Sequence, residues 1–172
     1  MMFDYHAAVR GAFFDIAEVA ESADDIARQA RYLEDGVLFL RDGRIQALLP
    51  WQEGERFLHP QKGYRDLRGK LLLPGFVDAH VHYPQTEMIG AFGEQLLEWL
   101  TTYTFPVESQ FADADYAAEI AQFFVNQLLS HGTTTALVFC TWHHESVDEL
   151  FNEALRLNMR LIAGKEKKKR KK

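Results

Sequence analysis

The stretch Leu71-Leu72-Leu73-Pro74-Gly75-Phe76-Val77-Asp78-Ala79-His80-Val81-His82-Tyr83-Pro84-Gln85 decides how the rest of the chain is read. An apolar run with β-branched members ends in two histidines separated by one residue. Alternate side chains of a strand project to the same face, so His80 and His82 would point together at its end. Paired imidazoles are nitrogen donors for a divalent metal, and a hydrolytic metal site is the leading expectation. Pro74-Gly75 lies in the lead-in, where it can bend or bulge the strand. Asp78 alternates with both histidines and is read as an acceptor for an imidazole N–H, which would orient a ligating ring. A catalytic zinc ion keeps one position open for water and lowers its pKa toward about 7. Such a site normally needs at least one further protein ligand and a general acid/base, which the pair alone does not supply.

Downstream of this stretch the elements are long and alternate in type. Residues 93–100 read as a helix that Phe105-Pro106 breaks. From Asp113 to His131 the spacing predicts an amphipathic helix, burying Tyr116, Ile120, Phe123, Phe124, Leu128 and Leu129. Gly132 stops it, and 133–139 follows as a buried strand. A helix over 146–157 leads to a third strand over 159–163. This β-α-β-α-β order implies a parallel sheet with helices packed outside it.

Upstream the rhythm is shorter. Strand Ala7–Ile16 is followed by a short helix over 22–30 with Ser22 as its N-cap. Residues 37–40 and 45–49 read as a hairpin across Asp42-Gly43, and 64–70 as a further short strand. The expected division is a small β domain over 1–70, α/β units over 71–164, and a basic tail over 165–172.

At 172 residues, 47% hydrophobic and 26% charged, the chain has the composition of a globular protein with a sizeable core. No apolar run approaches the roughly 20 residues that span a bilayer, so no membrane partner is expected. The N-terminus lacks a basic segment followed by an apolar one, so no secretory signal is read. Cys140 is the single cysteine, which excludes an internal disulfide and suits a cytoplasmic setting. The net charge of −6 is uneven, because seven of the last eight residues are basic and one is acidic, leaving −12 on the other 164. An acidic body argues against a nucleic-acid footprint spread over the domain. Only the tail could make such contacts, and they would be non-specific. That lysine run is built of residues encodable by A and G alone, and it is read as a truncated or frameshifted coding sequence. A solvated tail and a polyanion-binding patch are the rival readings.

The motif Pro-Gly-Phe-Val-Asp-x-His-x-His over 74–82 resembles the first metal motif of the amidohydrolase superfamily, which lies at the end of the first strand of a TIM-type (β/α)₈ barrel. The continuation Tyr83-Pro84-Gln85, the segments Leu96-Leu97-Glu98-Trp99-Leu100 and Tyr103-Thr104-Phe105-Pro106-x-Glu108, and His131-Gly132-Thr133-Thr134-Thr135-Ala136 are similar to the guanine deaminase family. The resemblance runs from about Val9 to Lys165 and covers the front third of a family member. It implies an α/β fold: the start of the barrel, about three strands, preceded by a small β-sandwich portion. It implies zinc-dependent hydrolysis of guanine to xanthine and ammonia in purine catabolism, with zinc, one per complete site, rather than ferrous iron. His80 and His82 match metal ligands, and Gln85 matches a substrate-contacting amide. Tyr83, Pro84 and Trp99 would shape the pocket, and His143 joins Asp78 as a residue supporting the ligands. The family also suggests a homodimer. Its remaining ligands and its general acid/base come from later strands, so no catalytic residue is assigned, and the chain alone is expected to be inactive. The alternatives are another amidohydrolase deaminase or chlorohydrolase, and a non-enzymatic fragment whose tail binds polyanions.

Overall fold

A computed structural model of the chain describes residues 4–16, 18–19, 21–93 and 95–165. The basic run from Glu166 onward lies outside the described residues, and so do the readings made of it. The chain divides into two compact units, Met1–Pro74 and Gly75–Lys172.

The first unit is a four-stranded sheet in the order β3-β2-β1-β4. Its elements are β1 (Ala7–Ile16), helix α1 (Ala23–Gln29), β2 (Ala30–Arg41), β3 (Arg44–Pro50), the single turn α2 (Trp51–Gly54) and β4 (Arg65–Leu72). The Ser22 side chain accepts from the Asp25 N–H, so the expected N-cap forms. Asp42 and Gly43 both adopt positive φ, 49° and 71°, the backbone of a type I′ turn that fits the twist of two antiparallel strands. β2 begins earlier than the sequence pattern indicated, because its first half pairs with the far end of β1, from Ile16 opposite Ala30 to Gly11 opposite Gly36. β4 lies parallel to β1 on the other side and absorbs Leu71 and Leu72. The apolar run of the opening motif is therefore two strands, parted at Leu73-Pro74-Gly75. Tyr5, Ala8, Val37 and Phe39 form this unit's core. Gly54 sits so close to it that a Cβ there would lie 2.1 Å from Val37 Cγ1. On the flank, Arg10 makes a bidentate pair with Asp35 at 2.8 and 2.6 Å and stacks its guanidinium 3.7 Å from the Trp51 ring centre.

The second unit holds a parallel sheet β5-β6-β7, formed by Phe76–His82, Thr133–Cys140 and Arg160–Lys165. After β5 come a 3₁₀ turn (Tyr83–Met88), the short helix α3 (Leu96–Trp99), a π turn (Leu100–Thr104) and α4 (Phe105–Ser109). Helices α5 (Ala114–Ser130) and α6 (His144–Arg156) make the two crossovers between the strands. Two expectations need correction here. Pro106 does not break the helical path. It occupies the first turn of α4, where its missing N–H removes nothing. The wide turn before it, in which the Phe105 N–H reaches back to the Leu100 carbonyl, accommodates the ring. Phe123 is not in the core and is 53% exposed. Ala117 and Ala121 complete the inner stripe of α5 with Ile120, Phe124 and Val125. These small side chains let the helix lie close to the sheet.

Asp113 caps α5 by accepting from the N–H groups of Asp115 and Tyr116 at 2.9 and 3.3 Å, and Gly132 ends its exit with φ 87°. β6 is not buried on both faces as its composition suggested. Ala136, Val138 and Cys140 enter the core with Leu150 and Ala154 of α6, whereas Leu137 is 37% exposed. Helices cover one face of the three strands and the other stays open among the described residues.

Candidate metal and substrate site

The open face is where the histidine pair lies. Val81 packs against the core beneath the helices. By alternation, His80 and His82 project from the opposite face of β5. Their Nε2 atoms approach to 3.3 Å. Nitrogen donors held about 2.0–2.1 Å from a tetrahedral zinc ion stand roughly 3.3–3.4 Å apart, so the spacing and chemistry of the pair fit two of its ligand positions. Without a metal the same approach requires unlike tautomers, one Nε2 donating and the other accepting. Phe139 of β6, the register partner of His82, stacks on that imidazole at 4.9 Å and 17° and meets the His80 ring at 4.8 Å.

Asp78 is placed beside the pair, but its carboxylate accepts the His80 backbone N–H at 3.0 Å and so braces the strand at that residue. His143 occupies the N-cap position of α6, its N–H donating to Thr141 Oγ1 at 3.2 Å and its ring 3.8 Å from that of Trp142. Its Nε2 is buried with no hydrogen-bond partner. No group of three or more His, Cys, Asp or Glu side chains gathers to hold a metal among the described residues.

The 3₁₀ turn directly after β5 carries the substrate candidates. Gln85 is half-buried, and its Nε2 lies 3.5 Å from Glu108 Oε1 of α4. Glu87 accepts a short hydrogen bond from the Tyr116 hydroxyl of α5. Burial, and after it the negative Glu87 carboxylate beside the phenol, pushes the Tyr116 pKa well up. Tyr83 turns into the core, fully buried, where its hydroxyl donates to the Ala117 carbonyl at 2.7 Å and its ring packs on Phe111 and Phe124. Pro84 is buried with it. Trp99 donates its indole N–H to the Ala91 carbonyl at 3.0 Å and packs over Gly93, where a Cβ would lie 2.7 Å from the Trp99 Cβ. Tyr83 therefore fastens the turn to α5, and Trp99 closes the segment before α3 on itself.

Sequence reasoning gave Phe139 no place at the site, quoted Glu108 only within a family-like segment, and read Tyr116 only as part of the buried face of its helix. Phe139 lay inside an apolar strand run, and only the register of β6 against β5 puts it beside the histidines. Cys140, next along β6, faces the core. Burial pushes its thiol up to about 11, against a smaller opposing effect of the Ser146 hydroxyl. A raised pKa keeps the thiol protonated across neutral and mildly basic pH. Native chain at pH 8 is expected to react with Ellman's reagent about a hundredfold more slowly than urea-unfolded chain. Equal rates would show that Cys140 is not buried.

Comparison with known proteins gives a consistent picture. Residues 71–172 match the amidohydrolase family. The guanine deaminase of Escherichia coli (strain K12) is 51% identical over 158 residues, which cover 92% of this chain and 36% of that protein. The solved structure of the E. coli enzyme superposes with a TM-score of 0.88 at 50% identity, over 92% of this chain and 37% of that one. The guanine deaminase of C. acetobutylicum, solved with guanine in its active site, matches with a TM-score of 0.73 at 26% identity, over 92% of this chain and 35% of that one. The chain thus spans about a third of the length of the relatives it matches. The mixed α/β architecture is that of the incomplete N-terminal part of an amidohydrolase barrel, as the motif reading expected.

Proposed function

Given that this chain belongs to the amidohydrolase family, we propose that it carries the first metal motif and the adjoining substrate turn of a guanine deaminase, which hydrolyses guanine to xanthine and ammonia. The observation that carries the reading is the convergence of His80 Nε2 and His82 Nε2 at 3.3 Å on the open face of β5. Zinc held there supplies Lewis acidity that makes water nucleophilic near neutral pH. His80 and His82 would hold the ion through their Nε2 atoms, and the Asp78 carboxylate fixes the backbone from which His80 projects. Gln85 offers a donor and an acceptor to the edge of the purine. The acceptor-only carboxylate of Glu108 draws the Gln85 Nε2 toward itself and leaves Oε1 to face the substrate. A homodimer and a cytoplasmic setting belong to the same proposal and rest on the family. No helix among the described residues is long and apolar enough to cross a membrane.

With only two donors brought together, the 172-residue chain by itself is expected to turn over no guanine when zinc is added. The decisive experiment replaces the matching N-terminal portion of the E. coli enzyme with residues of this chain and assays xanthine formation. The chimera is expected to be active. A folded, zinc-loaded chimera that forms no xanthine would overturn the reading.

A further inference from the structure

We propose that Phe139 is a positioning residue that holds His80 and His82 in their metal-ready arrangement before any metal arrives. The inference rests on the metal reading of the pair given above. β6 alternates strictly at this point: Val138, 1% exposed, enters the core, and Phe139 takes the open face with Leu137. The register sets Phe139 opposite His82, and its ring meets both imidazoles, with centroids 4.9 Å from His82 and 4.8 Å from His80. The two imidazoles are themselves 5.3 Å apart, inclined at 45°. The three rings form one cluster on an otherwise open surface.

An unsupported histidine on an exposed strand face samples several χ1 and χ2 states, and a metal would have to order both rings as it bound. A flat aromatic face against each ring restricts those rotations in the folded chain, because ring pairs at these separations favour offset or inclined contact. The ordering is then completed on folding rather than on binding. A leucine would fill similar space without presenting a plane to either imidazole.

The test compares zinc affinity, measured by competition with a chromophoric chelator, in the 172-residue chain and its variants. F139L is expected to bind zinc about tenfold more weakly, in the range seen when residues that orient metal ligands are removed. F139Y, which keeps the ring, is expected to stay within about twofold of the unsubstituted chain. L137A, on the same strand face, controls for lost packing and is expected to match the unsubstituted chain. Equal affinity of F139L and the unsubstituted chain, with H82A strongly impaired, would overturn the proposal and leave the metal reading intact. A second measurement needs neither metal nor variant: NMR of the metal-free chain should show contacts from the Phe139 ring protons to the ring protons of both histidines. Their absence would also overturn the proposal. Should the unsubstituted chain bind zinc no better than the H80A/H82A double variant, the metal reading falls. The metal-free contacts then decide alone whether Phe139 orders the pair.

Discussion

Replacing both His80 and His82 by alanine is expected to remove specific zinc uptake from this chain, a loss of about three to four orders of magnitude in affinity. Four-ligand structural zinc sites gain roughly 10–16 kcal/mol, or about 3 kcal/mol per ligand if shared evenly. Each 1.4 kcal/mol is a factor of about ten, so one imidazole is worth about a hundredfold and two about ten-thousandfold before entropy is counted. Competition with a chromophoric chelator reads this directly, and cobalt(II) absorption reports the ligand field. His6, with its side chain 64% exposed beside Asp42, and His144, 69% exposed beside Glu145, are the controls. Alanine at both controls should leave the tight component unchanged. If the double variant at 80 and 82 binds zinc as the unsubstituted chain does, the convergence of the two Nε2 atoms has no bearing on metal.

The second large effect concerns Tyr83. Removing a fully buried aromatic side chain to alanine destabilises a domain by about 3–5 kcal/mol through lost transfer energy and the cavity left behind. Tyr83 has that environment, between Phe111 and Phe124 with its hydroxyl on the Ala117 carbonyl. Y83A is therefore expected to unfold at much lower urea concentration than the unsubstituted chain. Y83F, which loses only the hydroxyl bond, should cost about 1 kcal/mol. If the two variants unfold at the same concentration, the ring is not packed as described. The same comparison separates a packing role from the pocket-shaping role that the sequence suggested for this tyrosine.

The parts of the fold that were legible are those in which periodicity and punctuation agree. Alternation from His80 to His82 placed the two imidazoles on one face, and the Gly132 stop ended α5. The Asp42-Gly43 pair announced its hairpin turn, because few residues tolerate positive φ at both central positions. What sequence could not give was pairing between distant segments. The first half of β2 carries no strong strand pattern and is a strand because β1 lies beside it. Phe139 meets the histidines because two strands 51 residues or more apart in sequence fall into one register. Phe123 shows the limit of composition: a large apolar residue at helical spacing was placed in the core, yet two alanines hold the inner stripe. Pro106 shows the same limit for punctuation, since a proline in a first helical turn reads from sequence like a breaker.

The alternation of β5 also restricts how this segment can change over evolutionary time. Val81, which packs on the core, stands next to His82, whose imidazole lies on the other face, and Tyr83 is already buried in the turn that follows. The ladder with β6 is irregular between Phe76 and Val77 and again between Asp78 and Val81, so β5 already takes up a change of length there, but a residue inserted between Val81 and His82 would turn the His82 imidazole toward the helices. Descendants of this chain should therefore keep the residue count fixed from Val81 to Tyr83, and length variation should collect in exposed connections such as 89–93, where no ladder has to stay in phase.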